Sequence, residues 1–253
     1  MQLPAKTFII TGATSGMGRG IAERFAREGA SLVLSGRNEE RGREVAAHIQ
    51  EQGGKATFLP GDISLPETNH QLVESALENF GRLDGIVTNA GHLGLGAVTD
   101  IQPDEWHYTF AANLHAVYYL SHYSIPVMQE QGKGVIIATA SIAAYKSFPN
   151  HPAYCAAKAG LVALVRQMAL DYGPAIRINA ICPGPVDTPL IWDSARAFPD
   201  PQKAVENAAQ TTALKRLGAP QDIAALALFL ASEESSWITG TAITIDGGVM
   251  ATR

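Results

Sequence analysis

Thr7-Phe8-Ile9-Ile10-Thr11-Gly12-Ala13-Thr14-Ser15-Gly16-Met17-Gly18 is the stretch that decides the fold. Its first five residues are β-branched or aromatic and read as a strand. The glycines make a turn, and residues 18–29 read as a helix. Strand, glycine turn and helix open a βαβ unit, and the same rhythm runs outward along the chain. Further strands are expected at residues 31–35, 56–60, 85–89, 135–140, 177–181 and 242–245, several of them apolar throughout, as strands covered on both faces are. Helices are expected at 39–52, 66–80, 103–131, 152–172 and 220–231, four of them opening at or near a proline, which the first helical turn tolerates. Crossovers of this length require parallel pairing. The expected fold class is α/β, with one doubly wound, parallel, seven-stranded sheet and helices on both faces.

A chain of 253 residues that is 46% hydrophobic can bury one sizeable core, so a single domain over 1–253 is expected. No repeat, low-complexity tract or linker divides it. The irregular stretch from Pro183 to Lys203 holds Pro183, Pro185, Pro189, Pro199 and Pro201 just after a strand end. Such a segment reads as a substrate lid, drawn here over residues 185–213. A formal charge of −5 leaves no basic field for nucleic acid or anionic lipid. The longest mostly apolar run, residues 223–231, is far too short to cross a membrane. Cys155 and Cys182 have neither the spacing of a zinc knuckle nor that of a disulfide framework. Residues 1–6 lack the charged and apolar regions of a signal peptide, and a reducing cytoplasm is the expected location.

The opening glycines occupy the place where backbone amides must approach a pyrophosphate, with a helix N-terminus facing that anion. Gly12, Thr14, Ser15, Gly16, Met17 and Gly18 are therefore candidate cofactor-binding residues. The second strand runs on into Arg37, where dinucleotide folds meet the adenosine ribose. No carboxylate stands there to accept from a free 2′-hydroxyl, and the guanidinium fork suits a 2′-phosphate, so NADP is favoured over NAD. The competing reading is a solvated loop cation partly neutralised by Glu39 and Glu40.

Tyr154 and Lys158 stand four apart on an expected helix, which puts phenol and ammonium on one face. A phenol is a poor base at neutral pH unless a cation stabilises its anion, and Lys158 is the candidate. Ser141 lies thirteen residues upstream of Tyr154, at the carboxyl edge of the sheet.

In these motifs and their order the sequence resembles the short-chain dehydrogenase/reductase family over nearly its whole length. The glycine turn is similar to the family's Thr-Gly-x-x-x-Gly-x-Gly. Asp62-Ile63 resembles the pair beside the adenine, and Asn89-Ala90-Gly91 the element that buttresses the sheet. Asn113, Ser141, Tyr154 and Lys158 match the catalytic tetrad. Pro183-Gly184, with Val186 and Thr188, resembles the element contacting the nicotinamide carboxamide. Ala140 and Ala157 depart from the common pattern without removing a catalytic group. The resemblance implies a Rossmann fold and hydride transfer between nicotinamide and a carbonyl carbon. Tyr154 would give the proton and Ser141 a hydrogen bond. Lys158, with the positive oxidised nicotinamide, would lower the Tyr154 pKa and hold the nicotinamide ribose, while Asn113 would hold a relay water. It also implies a homo-oligomer, dimer or tetramer, associating through helices at 103–131 and 152–172.

The seven histidines lack metal-ligand spacing, so no metal is expected. No Gly-x-Ser-x-Gly elbow supports a serine hydrolase, and no Walker A run occurs. His92 and His151 read first as plain surface positions, with the rim of the substrate pocket as the alternative. Its expected wall, Ser141, Ile142, Ala143, Phe148, Tyr154, Gly184, Pro185, Val186, Leu190 and Trp192, is mostly apolar, which favours a small neutral ketone or secondary alcohol. Ser141, Ala143, Tyr154, Gly184 and Trp192 are its principal substrate residues. The alternatives are a 3-oxoacyl (acyl carrier protein) reductase, an NAD-dependent sugar or polyol dehydrogenase and, more remotely, a non-catalytic cofactor-sensing protein.

Overall fold

β1 (Thr7–Thr11) is buried along its whole length, because the sheet it centres is covered on both faces. It pairs in parallel with β2 (Ser31–Gly36) on one side and β4 (Gly85–Thr88) on the other. With β3 (Lys55–Pro60), β5 (Gly134–Thr139), β6 (Ile176–Pro183) and β7 (Ala242–Ile245) the order is β3-β2-β1-β4-β5-β6-β7, all neighbours parallel. The winding reverses between β1 and β4, which opens a crevice at their carboxyl ends. The computed structural model describes residues 1–251.

Alternating side chains divide the core in two. Ile9, Val33, Ile86 and Ile136 point to one face and pack with Leu72, Leu120, Leu161 and Val165, from α3 (Pro66–Phe80), α5 (Ala116–Glu130) and α6 (Pro152–Tyr172). Phe8, Ile10, Leu32, Leu34 and Ile137 point to the other. They meet Ile21 and Phe25 of α1 (Gly16–Arg27), Val45 and Ile49 of α2 (Glu39–Glu51) and Ile223 and Leu228 of α9 (Pro220–Ala231). Prolines stand in the first turn of α3, α6 and α9, and α3 stops where Gly81 takes a left-handed φ of 71°.

Two expectations are corrected. The single helix at 103–131 is α4 (Pro103–Phe110), one π-helical stretch (Ala111–His115) and α5, and the wide turn shifts the helical phase in its middle. The proline-rich stretch after β6 is not irregular but carries α7 (Pro189–Ala195) and α8 (Pro201–Thr211). Pro189 and Pro201 start these helices, and the Asp200 carboxylate caps α8 by accepting from Lys203 N–H at 3.0 Å.

Candidate active site

The glycine turn is a cradle because there is no room for side chains. Gly12 has φ +65°, and a Cβ there would stand 2.8 Å from the Ala90 Cα. Gly16 has φ +52°, and a Cβ on Gly18 would overlap the Gly12 carbonyl. The Thr11 hydroxyl accepts from Asn89 N–H at 3.1 Å and Ala90 N–H at 3.2 Å, locking the end of β4 against the turn. Ser15 makes no side-chain cap on α1, and the first turn of that helix holds no acidic residue. The amide end of the helix is thus left for an external anion. Gly12, Thr14, Ser15, Gly16, Met17, Arg37, Asp62, Ile63, Asn89, Ala90, Gly91 and Thr188 line one crevice of about 510 Å³. Gly18 does not line it; it lets α1 pack against the turn.

Just beyond the end of β2 the Arg37 guanidinium donates to the Tyr108 hydroxyl at 3.1 Å, and that hydroxyl donates to Asp62 at 3.1 Å. Burial pushes the Asp62 carboxyl up, but hydrogen bonds from Ser64 and Tyr108 and the charge of Arg37 outweigh it and hold the group below its ordinary range. Glu39 is drawn to Arg43 at 2.6 Å. Arg41 also lines this end, so two guanidinium groups stand there. Sequence reasoning found neither Arg41 nor Tyr108; the latter is 71 residues from its arginine partner.

The crevice continues into a second cavity of about 400 Å³. Met17, Asn89, Gly91, Thr188 and Leu190 line both. Ser141, Ala143, Tyr154, Lys158, Pro183, Gly184 and Val186 line the second cavity. Pairing with β7 extends β6 to Pro183 and places Gly184 at the sheet's carboxyl edge, against Asp246. Tyr154 and Lys158 share the inner face of α6, the Lys158 Nζ 5.5 Å from the centre of the phenol ring. That ammonium donates to the Thr139 carbonyl at 2.7 Å. Ser141 Oγ accepts from Ala143 N–H at 3.0 Å, and its hydroxyl favours the ionised form of the Tyr154 phenol.

Burial dominates the ionisation of this cluster. It pushes the Tyr154 phenol up to about 12, against the hydrogen bond from Ser141, and pulls the Lys158 amine down to about 8. The amine is itself desolvated and directed to Thr139, so the phenol stays protonated at neutral pH.

Asn113 is fully buried in the π-helical stretch and lines neither cavity. Its two amide hydrogens go to the His92 and Thr109 carbonyls at 2.6 and 2.8 Å, and its carbonyl oxygen accepts from His92 N–H at 3.4 Å. Through both amide hydrogens the side chain braces the loop after β4 against α4.

Two further placements depend on α7. Leu190, Ile191, Ser194 and Ala195 face the second cavity, while Trp192 projects outward, 41% exposed and outside the lining. Trp192 is thereby removed from the substrate wall. The residues sequence reasoning missed are those of α7, α8 and the connection between them that fill its place: Ile191, Ser194, Phe198, Val205 and Ala208. His151 lines this cavity and His92 the crevice. Among the described residues no group of three or more His, Cys, Asp or Glu side chains is placed to hold a metal ion, and no helix is long and apolar enough to cross a membrane.

A sheet that reverses its winding above a glycine cradle is the architecture of dinucleotide-dependent oxidoreductases. A family model described as enoyl-(acyl carrier protein) reductase matches residues 12–250. A 3β-hydroxysteroid dehydrogenase of Mediterraneibacter gnavus is 36% identical over 96% of this chain and 94% of its own. Among solved structures, levodione reductase aligns at 34% identity and TM-score 0.95, covering 99% of this chain and 100% of the other. An actinorhodin polyketide ketoreductase variant with NADPH aligns at 27% identity and TM-score 0.93, covering 98% of each chain. The chain belongs to the short-chain dehydrogenase/reductase family and is a nicotinamide-dependent enzyme acting on CH–OH groups.

Proposed function

We propose that the protein is an NADP(H)-dependent oxidoreductase interconverting a mostly neutral ketone and its secondary alcohol, with Tyr154 as the general acid and base. The observation that carries this reading is the buried phenol, protonated at neutral pH and lining, beside Ser141, an apolar cavity that is continuous with the glycine-lined crevice. The glycine cradle and the uncapped α1 N-terminus fit the cofactor's pyrophosphate, and Arg37 and Arg41 fit a 2′-phosphate. Asp62 and Ile63 fit the adenine end. Asn89, Ala90, Gly91, Pro183, Gly184, Val186 and Thr188, with Lys158 at the ribose, fit the nicotinamide end. When bound, the nicotinamide supplies or accepts a hydride at the carbonyl carbon.

In reduction, Tyr154 gives its phenolic proton to the substrate oxygen as charge grows there, and the Ser141 hydroxyl steadies that oxygen. Lys158, 5.5 Å from the ring, stabilises the phenolate left behind. In oxidation, the phenolate takes the proton back. Asn113 acts as a positioning residue by fixing the loop after β4. Val186, Leu190, Ile191, Phe198 and Val205 favour a ketone with an apolar body over a polyol. The segment 185–213, through α7 and α8, serves as a substrate lid: it supplies most of that apolar wall, and α7 lines both cavities. The free thiols of Cys155 and Cys182 suit a reducing cytoplasm, and the exposed Tyr118 of α5 and Leu170 of α6 suit burial in a homo-oligomer.

The test is to follow the absorbance of NADPH and NADH against a panel of cyclic, aromatic and polycyclic ketones, and of the oxidised cofactors against their alcohols. The expected result is ketone-dependent oxidation of NADPH, faster than of NADH at equal subsaturating concentrations. No turnover of any pair with either cofactor would overturn the reading.

A further inference from the structure

The second cavity is apolar except for the Ser141, Tyr154 and Lys158 cluster and a few other polar groups, of which one pair is tightly organised. His151 is buried just before the first turn of α6, three residues before Tyr154, and its ring lies edge-on to the phenol at 6.4 Å between centroids. Its Nδ1 is 2.5 Å from the Pro149 carbonyl oxygen and its Nε2 is 2.9 Å from Ser194 Oγ. A carbonyl only accepts, so Nδ1 carries a hydrogen. Burial holds the imidazole below its ordinary pKa, against the Pro149 carbonyl, which raises it, so at neutral pH Nε2 is a bare acceptor. Ser194 must then spend its hydroxyl hydrogen on His151. What it turns to the cavity is an oxygen with lone pairs and no hydrogen to give.

We infer that the His151–Ser194 pair is a specificity-determining site that accepts a hydrogen bond from a hydroxyl group carried by the substrate close to its reacting carbonyl. The pair joins two elements that the reaction needs together: Ser194 belongs to α7, which covers the cavity, and His151 immediately precedes the helix that carries Tyr154. A substrate hydroxyl seated on Ser194 would fix the carbonyl at a set span from the phenol. A substrate without that hydroxyl leaves the serine oxygen dry inside an apolar wall, and one with a second carbonyl brings acceptor against acceptor.

This inference rests on the ketone reduction proposed above, and its test separates the two. Cyclohexanone, 2-, 3- and 4-hydroxycyclohexanone and the corresponding diones are compared by kcat/KM with NADPH in the wild type and in Ser194→Ala and His151→Phe. Binding of cyclohexanol and the cyclohexanediols to the cofactor-loaded proteins is measured in parallel by calorimetry, so the outcome does not depend on turnover. The wild type should prefer at least one hydroxyketone, and bind at least one diol, on the order of tenfold over the unsubstituted ring. The diones should gain nothing. In Ser194→Ala that ratio should fall to about one, and in His151→Phe, where the serine hydrogen is released, the diones should gain relative to the hydroxyketones. A wild type without preference in binding or turnover overturns the inference, as does an equal loss on hydroxylated and plain ligands in Ser194→Ala. Binding preference without turnover of any ketone would instead sustain this site and overturn the ketone reduction.

Discussion

The two halves of the crevice are built by different means. The cofactor half is made largely of backbone: Gly12, Gly16 and Gly18 let main chain approach main chain where a single added carbon collides with a carbonyl or a neighbouring Cα. The substrate half is made of side chains from β5, α6, α7 and α8, whose aim depends on helix phase. A wall of backbone tolerates almost no change and suits a ligand common to a whole family. A wall of side chains can be exchanged residue by residue and sets which molecule is used.

That contrast can be broken first at Gly18. Gly18→Ala puts a methyl group into the Gly12 carbonyl, and overpacking of about 1–3 kcal/mol should appear as a lower Tm and as cofactor binding weakened roughly tenfold to a hundredfold. Unchanged cofactor affinity by calorimetry would show that the turn is not a tight cradle.

Lys158 sharpens the comparison where the halves meet. Its amine is held near 8 in the folded protein against 10.5 unfolded, so the unfolded chain binds more protons between those values, and stability rises with pH across that window. Urea unfolding of the cofactor-free protein at about pH 7.5 and 9.5 should show this group adding on the order of 2 kcal/mol. Lys158→Met should lose that share of the rise. An identical slope in the two proteins contradicts the buried amine. Above pH 10 the raised phenol of Tyr154 works in the opposite sense, because the unfolded chain then releases the proton first.

Arg37→Ala tests the ribose end. NADPH affinity should fall by about tenfold, the scale of one lost charge-assisted bond, while NADH affinity stays nearly level. Equal losses would make Arg37 a structural partner of Tyr108 only. The smallest effect belongs to Trp192→Ala, expected to change kcat/KM less than about threefold because the indole lies outside the cavity. A larger loss would mean that α7 turns on substrate binding.

The same contrast explains what the sequence made legible. β1, β7, α3, α6 and α9 stand where alternation and first-turn prolines place them, and the glycine turn is where its residues imply. The π-helical stretch was hidden because one wide turn leaves no mark on apolar spacing, yet it sets the direction of Asn113. In the stretch from Pro183 to Lys203 five prolines read as irregular, although Asp200-Pro201 already held the signature of a capped helix. Without α7, nothing distinguished Trp192, which faces out, from Ile191 and Ser194, which face in. The Arg37–Tyr108–Asp62 chain was beyond reach because it exists only once Tyr108 of α4 meets the residues that follow β2 and β3.

The central claim is that a buried phenol delivers the proton, and Tyr154→Phe tests it most directly, since the ring keeps its packing and loses only the hydroxyl. With the best ketone of the panel, single-turnover oxidation of bound NADPH should slow by on the order of 100-fold or more while NADPH affinity stays within about twofold of the wild type. Wild-type single-turnover rates in that variant, with cofactor bound, would contradict the account.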